Sequence, residues 1–252
     1  MKIYLRKTFI EVGSITLFAS RFFKEIFRPD FEVKEFIRQC RVIGYKSLPL
    51  VSITAFIMGL VLTIQSRPAM AKFGAESWIP GMVSLSLIRE IAPVITALIC
   101  AGKISSGIGA ELGSMKVTEQ IDAMEVSAIN PYRYLVVTRI LATTLMVPIL
   151  VFYADLIGIY GGYIGVNMHG EVNLTRYFSQ VFESLEFVDV IPATLKTFFF
   201  GFFIGMIGCH KGFNATSGTE GVGKAANSAV VSASLAIFII DMIAVQLTDL
   251  FF

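Results

Sequence analysis

Charge is scarce in this sequence: Asp, Glu, Lys and Arg make up only 16% of its 252 residues. Soluble domains ordinarily carry about 25%. Cysteine, histidine and tryptophan are nearly absent, with three, two and one respectively. Three scattered cysteines (Cys40, Cys100, Cys209) exclude a disulfide framework or a zinc cluster as the basis of the fold. His169 and His210 stand alone and far apart, so no metal site is expected. No Gly-x-Ser-x-Gly elbow and no Ser/His/Asp grouping occurs, so no catalytic residue is assigned. What remains is apolar: 55% hydrophobic residues, 22 Phe and a mean hydropathy of +0.71. Such a chain does not stay unfolded in water, and 252 residues give too little interior to bury it as a soluble domain. The net charge of +2 gives no reason to expect a nucleic-acid partner.

The few charges avoid certain stretches. Ser47 to Ser66 is twenty residues without a charge, the length a helix needs to cross about 30 Å of hydrocarbon. A second span is expected over about 80–103, interrupted by Arg89 and Glu90. A third covers about 134–166, broken by Arg139 and Asp155, and is long enough to tilt or protrude. A fourth covers about 191–209 with Lys196 inside, and a fifth about 225–247 with Asp241 inside. The expected fold is therefore an all-α membrane protein of about five transmembrane helices, although four or six would also fit the charge pattern.

Residues 1–46 form a separate N-terminal region, and 47–252 the polytopic domain. The first 28 residues do not read as a signal peptide, because Arg and Lys are spread through them. On a helical wheel Leu5, Phe9, Val12, Ile15, Phe22, Phe23, Ile26 and Phe27 share one face, opposite Lys2, Arg6, Lys7, Glu11, Ser14, Arg21, Lys24 and Arg28. A Phe-rich basic amphipathic helix is expected to lie in the membrane interface; the alternative is an ordinary helix packed on the rest of the chain. Ten Lys/Arg in the first 46 residues, and more between spans two and three and between four and five, place the N-terminus in the cytoplasm and Phe252 outside.

Small residues recur at spacing four: Gly158 and Gly162, Gly161 and Gly165, Gly201 and Gly205. In lipid this spacing lets helix backbones approach closely. Charges inside spans cost on the order of 3 kcal/mol each at mid-bilayer, so they need a reason. Arg89 and Glu90 either neutralise partners such as Lys196 or Asp241, or line a polar cavity. Asp155 and Asp241 read as structural.

The segment 102–133 is long for a connection between spans. Thr118 is expected to N-cap a short amphipathic helix over about 118–126, with Glu119 and Asp122 in its first turns and Ile121, Met124 and Ala128 as one apolar stripe. Asn130-Pro131 is expected to stop it. Such a helix suits docking on a partner protein. Gly218-Thr-Glu-Gly-Val-Gly-Lys224 has the spacing of a phosphate-binding loop, but Ala225 replaces the metal-binding hydroxyl and no strand precedes it. It is read as a flexible connector.

Three stretches then carry a resemblance. Arg89-Glu-Ile-Ala-Pro-Val-Ile-Thr-Ala-Leu98, Ala101-Gly-Lys103 and Gly109-Ala-Glu-Leu-Gly-Ser-Met-Lys-Val-Thr-Glu-Gln-Ile-Asp-Ala-Met-Glu-Val126 resemble the signature of the MlaE-type permeases. These are membrane subunits of ABC transporters linked to mammalian-cell-entry (MCE) proteins. Asn130 to Leu141, Gly161-Gly162, Gly221 to Ala225 and the helix around Asp241 continue the similarity, over about residues 10 to 250. Ala92 and Lys103 depart from the family's usual Gly and Arg.

The resemblance implies a homodimer in a bacterial inner membrane, a cytoplasmic ABC ATPase on each copy, a periplasmic MCE-domain protein and, as a further partner, a small cytoplasmic regulatory subunit. The cargo is lipid, typically phospholipid. This chain would bind no cofactor, ATP and Mg being held by the ATPase. The 118–126 helix would be the coupling helix, with Glu119, Gln120, Ile121, Asp122, Met124 and Glu125 on the ATPase. Arg89, Glu90 and Lys196 would lie near the lipid cavity at the dimer interface, formed by spans one, two and five of the two copies. The rivals are a self-sufficient channel or secondary transporter, which often shows internal repeats not seen here, and an intramembrane lipid enzyme, which lacks its nucleophile.

Overall fold

A computed structural model describes residues 2–28, 31–168, 170, 172–216 and 218–251, with side chains described from Gly13 through Leu250 within those ranges. His169, Glu171, Phe252 and the side chains of the first part of the expected amphipathic face, Lys2 to Val12, lie outside the described residues.

The described residues form α-helices and helical turns, with no strand among them. In chain order the helices are α1 (Lys2–Ile26), α2 (Val33–Lys72), α3 (Ile79–Ser86), α4 (Ala92–Cys100), α5 (Ser106–Val117), α6 (Gln120–Val126), α7 (Thr138–Asn167), α8 (Leu174–Ser184), α9 (Phe187–Phe213) and α10 (Thr219–Phe251). Three wider π-helical turns, Leu87–Ile91, Ala101–Ser105 and Tyr132–Val137, join or extend them. Five runs are long and apolar enough to cross a membrane: Val33–Lys72, Glu76–Val117, Tyr132–Asn167, Phe187–Phe213 and Thr219–Leu250. The chain is an all-α membrane protein. The helices outrun the apolar stretches: the 40 residues of α2 reach about 60 Å, twice the hydrocarbon thickness.

The chain divides into two compact units. Unit 1 comprises 1–43, 100–146 and 201–236; unit 2 comprises 44–99, 147–200 and 237–252.

In unit 1, α7 and α9 meet through glycine. A Cβ on Gly201 would crowd the Thr144 Cα at 2.9 Å, and one on Gly205 the Ile140 Cα at 3.0 Å, so only hydrogen fits at both positions. Arg139 is 1% exposed, ion-paired with Glu111 at 2.9 Å and donating to the Leu135 carbonyl. α1 packs here through Ser14, which hydrogen-bonds His210, through Phe18 and Arg21 on the Tyr132 ring, and through Phe22 on Phe202. This packed face mixes residues from both expected wheel faces, because its partners, His210 and Tyr132, are polar-tipped aromatics that accept a hydroxyl or a guanidinium. Leu17, Phe23 and Phe27 are exposed.

In unit 2, α2 and α7 cross at the glycine ladder. A Cβ on Gly59 would overlap the Gly158 carbonyl, one on Gly161 the Phe56 carbonyl, and one on Gly165 would press on Thr63. Gly162 lies under the Tyr177 hydroxyl. One core gathers Val51, Ala55, Leu87, Ala92 and Ala154; another gathers Ile88, Ile159, Tyr177 and Val181. α8 is strongly amphipathic, N-capped by Asn173, with Tyr177 and Val181 one turn apart on its buried side and Leu174 and Phe182 exposed. Burial pushes the Tyr177 phenol above its ordinary pKa, and its hydroxyl donates to the Ile159 carbonyl.

Three local expectations are corrected. Thr118 does not cap α6; its hydroxyl donates back to the Ser114 carbonyl and closes α5. The chain reverses on Glu119 in the left-handed region (φ 58), which puts Glu119 rather than Thr118 at the cap position of α6; the Thr118 hydroxyl accepts only from the Gln120 side chain there. Asn130 does not stop α6, which ends at Val126; its side chain accepts from the Tyr132 and Arg133 amides and opens the next helix. The expected flexible connector at 218–224 is likewise helical from Thr219, with Lys224 paired to Glu220 at 2.6 Å.

Candidate functional site

The site lies wholly in unit 2 and starts from a proline. Pro93 has no N–H for the Arg89 carbonyl four residues back, and its ring crowds that carbonyl. The helix relieves this by widening: the Ala92 amide donates to the Leu87 carbonyl, five residues back, and Leu87–Ile91 forms a π-turn. π-turns occur often at functional sites. This one carries Arg89 and Glu90.

α9 supplies the next residues. Asp189 is the third residue of α9, and its Oδ2 accepts the Glu186 amide at 3.0 Å, closing the helix N-terminus. Its Oδ1 lies 3.1 Å from Arg89 Nε. One carboxylate therefore starts a helix and holds a guanidinium. Two turns further along, Lys196 is 4% exposed; its Nζ lies 2.7 Å from Glu90 Oε2 and 2.9 Å from Asp241 Oδ1 on α10. Two of its three donors are thus on carboxylates. A buried ammonium needs this much compensation, since a lone charge there would cost several kcal/mol.

These groups border a cavity of about 580 Å³, walled by the Leu85–Glu90 stretch, by Ser184 to Lys196, and by Ala244 to Asp249. Ligand pockets are commonly about 300–1,000 Å³. Its lining carries Arg89 and Lys196 as cations and Glu90, Glu186, Asp189 and Asp249 as carboxylates. Within the single chain this wall is built from the second, fourth and fifth spans, α9 being the fourth. A smaller cavity of about 230 Å³ in the same unit is bordered by Arg67, Glu76, Arg176 and Gln180.

Of the residues singled out in the sequence, Arg89, Glu90, Lys196 and Asp241 come together, and the two readings offered for Arg89 and Glu90 coincide: they are paired and they line a polar cavity. Asp155 does not join them. Its Oδ1 is buried without a hydrogen-bond partner among the described residues, in a crevice lined by Ile88, Pro93, Phe152 and Thr197. Asp189, Glu186 and Asp249 were missed as site residues. The signal for Asp189 was its place three residues after Glu186, ahead of an apolar run.

The second group lies in unit 1 on α6. Ile121, expected as a docking residue, is 1% exposed and anchors α6 to its own chain. An apolar side chain at a helix–helix seam is buried by its own neighbours before any partner arrives. Met124 is half-buried, whereas Glu119, Gln120, Asp122 and Glu125 are exposed. Asp122 pairs with Lys116 at 2.8 Å. The exposed apolar groups here are Val126, at 90%, and Ile129, at 45%. Gly158, Gly161, Gly162, Gly165, Gly201 and Gly205 all sit at helix contacts and none lines the cavity.

Comparison with known proteins bears on this arrangement. Residues 36–247 match the family model described as Permease MlaE. A probable ABC transporter permease protein of Rickettsia felis is 41% identical over 241 residues, covering 96% of this chain and 92% of the relative. The intermembrane phospholipid transport system permease protein MlaE of Haemophilus influenzae is 33% identical, over 82% of this chain and 80% of its own length. The chloroplastic protein TRIGALACTOSYLDIACYLGLYCEROL 1 of Arabidopsis thaliana is 30% identical, over 91% of this chain and 66% of its own.

Proposed function

This chain belongs to the MlaE permease family, as an ABC transporter permease rather than an enzyme, and from that premise we propose that it moves phospholipid through the unit 2 cavity. The observation that carries the reading is the cavity wall itself. Arg89, Glu90 and Lys196 are charged groups in apolar spans, gathered beside a space of about 580 Å³. A polar wall within an apolar span suits an amphiphile: headgroup on the charges, acyl chains on exposed apolar side chains. α10 offers such a surface in Phe238, Ile239 and Met242. The name of the Haemophilus relative, an intermembrane phospholipid transporter, supports the same cargo.

The chain works as a homodimer in a bacterial inner membrane, with its basic N-terminal region in the cytoplasm. α2 and α10 have the least buried apolar stretches of the five spans and serve as the faces for a second copy and for lipid. A separate ABC ATPase, which holds ATP and Mg, docks on the exposed residues of α6, Gln120, Asp122 and Glu125, with Val126 as the apolar contact. A periplasmic MCE-domain protein receives or delivers the lipid, and a small regulatory subunit completes the cytoplasmic side. Cargo moves because the two conformations driven by the ATPase bind it with different affinity. Glu76–Val117 is the helical run that carries Arg89 and Glu90 and leads into α6.

Purification with lipid extraction and an ATPase assay tests the reading. Phospholipid in the extract, and ATP hydrolysis that requires a second polypeptide, are the expected results. Solute flux from the purified chain alone, with no lipid retained, would replace it with a channel or secondary transporter.

A further inference from the structure

We infer that the cavity selects phospholipids whose headgroup carries an amine, over headgroups that carry only the phosphate charge. The inference rests on the lipid-permease reading and concerns which lipid that site takes.

It follows from which charges are already engaged. Both cations in the wall are committed: Arg89 through Nε to Asp189, and Lys196 through Nζ to Glu90 and Asp241. Two carboxylates in the wall, Glu186 and Asp249, have no ion pair among the described residues. Both are exposed and border the cavity. With Asp241 at its back, the wall carries a surplus of negative charge. A headgroup whose only charge is phosphate would meet that surplus as repulsion.

A zwitterionic headgroup meets it otherwise. Its ammonium is a compact donor that suits Glu186 and Asp249. Its phosphate falls to Arg89, about half exposed and paired among the described residues with Asp189 through Nε, whose outer N–H groups form a planar fork matched to phosphate oxygens. Lys196 is unsuited to that task, being 4% exposed with two of its three donors occupied. Phosphate on Arg89 and amine on the two outer carboxylates reproduce the charge order of a phosphoethanolamine.

The test uses the full-length permease in vesicles of equal phosphatidylethanolamine and phosphatidylglycerol with matched acyl chains. Lipid retained after re-extraction and purification is quantified by headgroup. The expected result is a two- to fivefold excess of phosphatidylethanolamine over the bulk ratio, the size of effect exposed ion pairs supply. Glu186→Gln combined with Asp249→Asn lowers the excess to the bulk ratio. Glu183→Gln, an acid on α8 that does not line the cavity, leaves the excess in place. Retained lipid at the bulk ratio in the unmodified protein, or an excess that survives the double substitution, would overturn the headgroup inference and leave the lipid reading standing. No retained lipid at all would overturn both.

Discussion

Lys196 on α9 and Glu90 on the Leu87–Ile91 turn lie 2.7 Å apart, nitrogen to oxygen, although 106 positions separate them in the chain. The pair is asymmetric: the Lys196 side chain is 4% exposed and that of Glu90 46%. The cation is the buried partner, so the arrangement depends on it, and Asp241 at 2.9 Å shares it from the other side.

Removal of that cation should therefore cost more than removal of either acid. Lys196→Met leaves Glu90 and Asp241 facing each other across an apolar gap, with an expected loss of about 3 kcal/mol, at the low end for a broken buried pair because Glu90 is half in solvent. Thermal unfolding in detergent measures it. Adding Glu90→Gln and Asp241→Asn to Lys196→Met should restore most of the stability. If the three charges only hold the helices together, the triple variant transports lipid normally; loss of retained lipid from a stable triple variant places them in the site. An unchanged melting temperature for Lys196→Met would show that the pair does not stabilise the fold.

The glycines divide into two kinds with opposite predicted signs. Gly201→Ala forces a methyl against the Thr143 and Thr144 backbone, which cannot withdraw, and should destabilise by about 1–3 kcal/mol. Gly107→Ala, on α5 with nothing within 4 Å of the new methyl, should stabilise by about 0.5–1 kcal/mol through helix propensity and a less flexible unfolded chain. Equal effects at the two sites, read from melting in detergent, would contradict the close approach of α7 and α9.

Much of this was legible before any coordinates. Long uncharged runs can only be spans, so the all-α membrane class and the number of apolar helices followed from spacing. A lysine in one span and acids in two others need one another in lipid, which made the Lys196, Glu90 and Asp241 grouping an available guess. The rest depended on tertiary detail. Nothing local distinguishes Ile121 as a buried anchor from a docking knob, because both need an apolar residue on one helix face. Thr118 has the right chemistry for an N-cap, and only the tight reversal at Glu119 shows that it falls one residue before the cap position, at the close of the preceding helix. Asp189 lies just ahead of the expected fourth span, and only the start of α9 at Phe187 shows that it begins a helix and faces Arg89.

That reversal supplies its own test. Glu119 holds a left-handed backbone (φ 58) that costs an ordinary L-residue about 1–2 kcal/mol. Glu119→Gly should recover part of this, raising stability by about 0.5–1 kcal/mol after the larger entropy of the unfolded glycine is subtracted. Asn130→Ala should act in the opposite sense, costing about 1 kcal/mol by leaving the Tyr132 and Arg133 amides without their acceptor. Chemical denaturation followed by helical circular dichroism reports both. A glycine variant less stable than the parent would mean that the Glu119 side chain contributes more than its backbone strain costs.

The α6 surface separates docking from folding. Val126 is 90% exposed and Ile121 1%, five residues apart on the same short helix. Val126→Asp should leave insertion and melting temperature unchanged, since that side chain is 90% exposed, yet abolish recovery of the ATPase with the tagged permease. Ile121→Ala should do the reverse: a cavity at a fully buried site costs about 2–5 kcal/mol, so the permease melts earlier, while the fraction that remains folded still recovers the ATPase. Co-purification and melting, measured on the same preparations, give each variant two readouts. Full recovery of the ATPase by Val126→Asp would remove this residue from the docking surface. Lost recovery from an Ile121→Ala protein of unchanged stability would return Ile121 to the contact and contradict its burial.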